Sequence, residues 1–210
     1  MSTQQPTPRE TPADSRIGGA SGFELASPDQ PGAANLEAAL ERNRAFAAAG
    51  RHHGAVVFPK LRLFVITCLD PRVDPAHFLD LGVSDAMVIR NVGGRVTPEV
   101  INDVAFIGQL AESVLPDGPL FEIAVIHHTQ CGTGALADDS FRRRYAQRIG
   151  ADEASLREHA VLDPAATVTR DVERLRSARA ISARVTVSGH VYDVVTGLVE
   201  TVIPACSSAD

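Results

Sequence analysis

Three short, uninterrupted apolar runs, set apart by a segment of helical periodicity, limit the folds open to this chain more than any other feature. LRLFVIT (61–67), AMVIR (86–90) and FEIAVIH (121–127) are short and rich in β-branched residues, so each is predicted to be a strand buried on both faces. After the second run, VTPEVINDVAFIGQLAES offers Thr97 as an N-cap and Pro98 at the first helical position. Its apolar stripe runs through Val100, Val104, Ile107 and Leu110 or Ala111. Residues 138–150, basic on their surface, and 167–178 are also predicted to be helical. RVTVSG (184–189) and VYDVVTGLVETV (191–202) close the chain as strands, the last with a hairpin at Thr196–Gly197. Strands alternating with helices define an α/β fold, with a mainly parallel β-sheet of about four parallel strands plus a C-terminal strand, covered on both faces by helices. In such sheets ligands bind where strands end at their carboxyl edge.

A chain of 210 residues can bury one substantial core. Residues 1–33 carry five prolines and little apolar periodicity and are expected to be a disordered tail, leaving 34–204 as a single domain. That domain opens with a helix in LEAALERNRAFAAAG, where Leu36, Ala39, Leu40 and Phe46 recur at near-helical spacing and Gly50 supplies the stop.

Charge and cysteine usage narrow the function. A net charge of −6 leaves no basic surplus for a phosphate backbone, so nucleic acid is not expected as a partner and a small molecule is. No segment reaches the roughly 18 apolar residues of a membrane span, and the first 30 residues lack the apolar core of a secretory signal, so a cytoplasmic location without membrane attachment is expected. Three cysteines, Cys68, Cys131 and Cys206, are too few and too scattered for a disulfide framework. In a reducing compartment such thiols stay free or hold metal.

Two strand ends carry the candidate chemistry. The first strand runs into Cys68-Leu69-Asp70-Pro71-Arg72 and the third into His127-His128-Thr129-Gln130-Cys131-Gly132-Thr133-Gly134. If residues 68–72 stay extended, as Pro71 encourages for Asp70, then Cys68, Asp70 and Arg72 share a face. His128 and Cys131 stand three apart in a glycine-rich loop, a spacing that a tight turn can direct at one point. Zinc takes tetrahedral nitrogen and sulfur ligands, and catalytic sites keep three protein ligands and one open position. Two thiolates and an imidazole fit that demand.

Each residue also has an ordinary explanation. A lone Cys68 is more often packing, Cys68 and Cys131 could form a disulfide, and Asp70 with Arg72 could be a surface ion pair. What favours a joint site is that both segments leave neighbouring buried strands at one sheet edge. His127 competes with His128, but successive strand residues face opposite ways and the H-x-x-C spacing selects His128. His127 is left to pack or shuttle protons. His52, His53, His77, His159 and His190 lack ligand spacing, Arg142-Arg143-Arg144 reads as a solvated helix face, and Cys206 lies in a terminal CSSAD tail. Gly93-Gly94 lacks the dinucleotide fingerprint and instead allows close backbone approach to the site.

C-x-D-x-R after one strand, followed about 60 residues later by H-x-x-C-G after another, resembles the β-class carbonic anhydrases. Val88-Ile89-Arg90-Asn91-Val92-Gly93-Gly94 is similar to the family's strand and glycine loop, and the likeness runs from about Leu36 to Val202. The resemblance implies a zinc enzyme for the reversible hydration of CO2 to bicarbonate through zinc-bound hydroxide. Cys68, His128 and Cys131 would be ligands, and Asp70 and Arg72 the catalytic dyad beside the fourth position. It also implies a homodimer or larger homo-oligomer, with the N-terminal helix crossing to a neighbour. Pro71 stands where the family commonly has serine and Gln130 where it often has aspartate. Those departures leave open a hydrolase of carbonyl sulfide or carbon disulfide on the same scaffold, beside a non-catalytic α/β binding protein.

Overall fold

The computed structural model describes residues 32–207. The expected disordered tail lies outside these residues except for Gly32 and Ala33, which belong to helix α1 (Gly32–Ala48). The helix forms where expected, but Leu36 is 64% and Leu40 42% exposed, so its apolar side is not spent on this chain's own core.

Strand β1 (Leu63–Cys68) ends in a 3₁₀ turn (Pro71–Val73) and a single-turn helix, α2 (Pro75–Phe78), capped in succession by the Asp70 and Asp74 carboxylates. Strand β2 (Ala86–Asn91) leads through a glycine turn (Val92–Gly94) to α3 (Pro98–Val114). Thr97 caps α3 by accepting from the Val100 amide, and Val100, Val104 and Ala111 are buried, while Leu110 faces outward. Strand β3 (Glu122–His128) passes through a 3₁₀ segment (Gly132–Ala137) to α4 (Asp139–Ile149) and then α5 (Glu153–Glu158). Helix α6 (Pro164–Arg176) starts three residues before the expected Thr167, because the Asp163 carboxylate caps it and Pro164 opens it.

β4 (Thr186–Tyr192) does not break at His190 as the apolar pattern suggests. The chain reverses between Asp193 and Leu198, where the Asp193 carboxylate accepts from the Val195 and Thr196 amides, and returns as β5 (Val199–Ser207). β5 runs past the expected domain end at Pro204 and carries Cys206 within a strand, opposite Val187, not in a tail.

The sheet order is β2-β1-β3-β4-β5, with the first four strands parallel and β5 antiparallel to β4. This agrees with the predicted fold class. Two details differ. β2 is an edge strand and only half-buried, with Val88 facing outward, so only β1, β3 and β4 have a neighbour on both sides. Helix cover is also uneven. α3 and α6 share one face, where Val100, Val104, Val168, Val172 and Leu175 pack on Phe64, Ile66, Ile123, Val125 and Val187. Among the described residues, the opposite face, with Val65, Ala124 and Ile126, is packed by Leu63, Phe78, Leu79 and Tyr192.

The basic helix needs a further correction. Arg143 and Arg144 are exposed, but Arg142 is buried and donates to the Leu136 and Ala137 carbonyls and to Asp139. The run is therefore not wholly a solvated face, since one of its members secures the turn that follows Cys131.

Candidate metal centre

Period-two alternation in β3 separates the adjacent histidines. His127 points with Ile123 and Val125 toward α6, and His128 points the other way with Ala124 and Ile126. His128 Nδ1 lies 2.9 Å from the Thr129 carbonyl, which can only accept, so Nδ1 carries the proton and Nε2 presents a lone pair. That Nε2 is buried without a hydrogen-bond partner. A buried polar atom left unmatched is costly and calls for an explanation.

The explanation lies beside it. The ligand atoms of Cys68, His128 and Cys131, from residues 4%, 1% and 8% exposed, all lie within 4.8 Å of one another and could hold a metal ion. Both Cys68 and Cys131 are free thiols, so the disulfide alternative is not realised. Hydrogen bonding with Cys131 outweighs burial and, helped by the Asp70 amide, lowers the Cys68 thiol. The same contact, together with burial, pushes Cys131 up. The contact therefore favours a thiolate on Cys68 and disfavours one on Cys131, and a metal cation between the sulfurs would favour both. Two sulfurs and an imidazole nitrogen with an empty lone-pair direction are a donor set that fits zinc.

Asp70 and Arg72 meet, though not by the extended backbone expected. Pro71 opens the 3₁₀ turn, and the Asp70 carboxylate accepts from the Arg72 amide at 2.9 Å. The turn folds the guanidinium back onto the carboxylate in a two-pronged contact, Nε to Oδ1 at 3.0 Å and Nη2 to Oδ2 at 2.7 Å. The Arg72 guanidinium holds the Asp70 carboxyl below the usual carboxylate range. Nη2 also donates to the Gln130 carbonyl at 3.0 Å, so Arg72 ties the first motif to the second. Gln130 holds a φ of 55°, in the left-handed region, which turns its carbonyl out of the strand direction.

Several participants escaped the sequence reading. Arg90 donates to the Cys68 carbonyl at 3.0 Å, the Asp70 carbonyl at 2.7 Å and the Asp74 carboxylate at 2.7 Å, securing the loop between ligand and dyad. Thr133 contacts the Cys131 sulfur at 3.1 Å and accepts from the Val161 amide. No spacing announced either residue. The Gly93-Gly94 reading agrees with the structure, because a Cβ on Gly94 would lie 2.8 Å from the Cys68 nitrogen and 2.8 Å from the Thr67 carbonyl carbon. A cavity of about 320 Å³ opens beside Cys68, Asp70 and Cys131, walled by Leu69, Pro71, Val92, Leu136, Phe141 and Tyr145.

The family model described as carbonic anhydrase matches residues 63–199, which include all five motif residues. The chain belongs to the β-carbonic anhydrase family. Members of this family are zinc enzymes, so the chain is a zinc-dependent carbonic anhydrase by family, and the metal is one that its sulfur and nitrogen donors fit. It is 28% identical to beta-carbonic anhydrase 1 of Mycobacterium tuberculosis over 146 residues, 70% of this chain and 85% of that one. It is 27% identical over 158 residues to a carbon disulfide hydrolase of an Acidianus strain, covering 64% of this chain and 74% of that one. Among solved structures, the carbonic anhydrase of Streptococcus mutans superimposes with a TM-score of 0.67 at 29% identity, over 80% of this chain and 96% of that one.

On the other face of β3, His127 is buried against Thr167 Oγ1 at 2.9 Å, the Gly94 carbonyl at 3.2 Å and Asp171 at 3.3 Å, which favours the packing alternative for this residue over proton shuttling. Burial alone would raise the Asp171 carboxyl, yet hydrogen bonds from His127 and Arg95 bring it down to about 2. Because its folded value lies below the unfolded one, its contribution is complete above about pH 4 and is lost as pH falls toward 2, a swing of about 2 kcal/mol. Urea unfolding of metal-free protein should therefore show wild type losing about that much more stability than Asp171→Asn between pH 5 and 2.

Proposed function

We propose that Cys68, His128 and Cys131 hold zinc and that, with Asp70 and Arg72, they catalyse the reversible hydration of CO2 to bicarbonate. The observation that carries this reading is a cluster of three buried ligand atoms, two of whose residues, Cys68 and Cys131, line one apolar-walled cavity together with the arginine-held Asp70 carboxylate. Zinc, when bound, supplies Lewis acidity that lets water be deprotonated near neutral pH. The chain's own residues do the rest. The His128 tautomer, fixed through Thr129, aims a lone pair at the site. Arg72 keeps Asp70 ionised and therefore able only to accept, so Asp70 takes a hydrogen bond from the attacking water and turns an oxygen lone pair toward the substrate carbon. Val92, Leu136 and Phe141 offer an uncharged, linear molecule a wall without competing hydrogen bonds.

The second reading, hydrolysis of carbonyl sulfide or carbon disulfide, draws support from the relative named carbon disulfide hydrolase and from Pro71 on the cavity wall. Stopped-flow CO2 hydration and headspace loss of carbonyl sulfide, both on the zinc-loaded full chain, separate the two. The expected result is rapid hydration, reduced about 10²- to 10⁴-fold in Asp70→Asn with zinc content unchanged. Negligible hydration beside rapid carbonyl sulfide loss would establish the second reading instead.

The exposed Leu36 and Leu40 support a homodimer or larger homo-oligomer in which α1 packs on a neighbour. Light scattering should then give a mass at least twice the 22.3 kDa of one chain. No helix among the described residues is long and apolar enough to cross a membrane. A cytoplasmic setting, where thiol ligands stay reduced, suits the site.

A further inference from the structure

Asp171 is a fully buried carboxylate with several charged partners, and the chemistry proposed above does not use it. Its fully buried carboxylate accepts from Arg95 Nε at 2.7 Å and Nη2 at 3.2 Å, from the Val96 amide at 3.1 Å and from Arg174 at 3.1 Å. His127 Nε2 stands 3.3 Å from the same carboxylate and 3.2 Å from the Gly94 carbonyl. Both of those groups only accept, so Nε2 carries a proton directed between them. Gly94, with a φ of 67°, presses its Cα side against the Cys68 peptide, where there is no room for a Cβ. The neighbouring Gly93 lines the same cavity as Cys68. A chain of contacts thus runs from α6 through His127 to the glycine turn and on to the peptide of one residue of the candidate centre.

We propose that Asp171, acting through His127 and Arg95, is a positioning residue that clamps the Gly93–Gly94 turn against Cys68 and so fixes that thiolate for the metal. This rests on the zinc reading above. Arg95 holds the carboxylate from the residue after the turn, and His127 holds the turn's carbonyl from the strand next to β1, so the turn is gripped at two points. A purely structural ion pair would influence stability alone. A clamp must also influence the geometry of the sulfur it backs.

The test uses the full chain with two probes, zinc titrated against a chromophoric chelator and cobalt(II) read by its thiolate charge-transfer absorption, at a temperature where circular dichroism shows each variant folded. Asp171→Asn should weaken zinc binding about 10- to 100-fold and shift the cobalt band. His127→Leu, which leaves the Arg95 pair in place, should do the same and decides the matter if Asp171→Asn does not fold. Arg174→Ala, which removes a more exposed partner of the same carboxylate, should lower stability and leave zinc affinity and the cobalt band at their wild-type values. Folded clamp variants with wild-type affinity and an unshifted band would overturn the inference while the zinc reading stands. Wild-type protein that takes up no zinc would overturn that reading, and the inference with it.

Discussion

Cys68→Ala and Cys131→Ala are each expected to empty the protein of stoichiometric zinc and to reduce CO2 hydration by at least about 10³-fold. The figure follows from losing the several kcal/mol that a Lewis acid contributes to the transition state. Among the described residues only Cys68, His128 and Cys131 bring three metal-ligand atoms into mutual reach, so losing either sulfur leaves two. Elemental analysis of the purified variants reads the first effect and stopped-flow assay the second. A variant that retains one zinc per chain and wild-type turnover would show that the three residues are not the ligand set.

Among the described glycines, Gly94→Ala should have the largest effect of a single added methyl. The added carbon would meet backbone atoms of Thr67 and Cys68 at 2.8 Å, and backbone cannot rotate out of the way as a side-chain tip can. Over-packing of this kind costs about 1–3 kcal/mol, and a left-handed φ adds about 1–2 kcal/mol for a residue with a Cβ. A loss of about 2–5 kcal/mol in urea unfolding is expected, with weakened zinc binding because the displaced peptide is that of a ligand. Gly150→Ala is the matched control. Its φ of 69° is equally left-handed, but it has open space around it, so it should show only the conformational part, about 1–2 kcal/mol, and leave zinc untouched. Equal losses at the two positions would mean that the close approach of the glycine turn is not what Gly94 provides.

How much of this could be read from sequence depended on the range of the interaction. Strands β1 and β3 were legible because burial on both faces leaves a continuous apolar run, and α3 because Thr97 and Pro98 mark its start locally. β2 misled for the same reason. It has an apolar run, but an edge position is a matter of neighbours, which a run of five residues does not encode. The start of α6 was written in Asp163-Pro164 and could have been found by its cap. Asp171 also left a trace, as a polar residue inside the buried stripe of Val168, Val172 and Leu175.

The sequence by itself determined the parallel core and the identity of the five motif residues, because strand alternation, helix caps and the C-x-D-x-R and H-x-x-C-G spacings are local properties of the chain. It also separated His127 from His128, since side chains on a strand alternate and only one of two neighbours can face the site. Only the tertiary structure decided how the site is held. The 3₁₀ turn that folds Arg72 onto Asp70, the Arg90 contacts across to the first motif, and the Asp171–His127 grip on Gly94 join residues 2, 20 or more, and 44 positions apart. Except for the first, these contacts exist because the sheet order puts β1 between β2 and β3 and lays α6 over the strands beside it. Which distant groups meet is set by that packing, and no short stretch of residues specifies it.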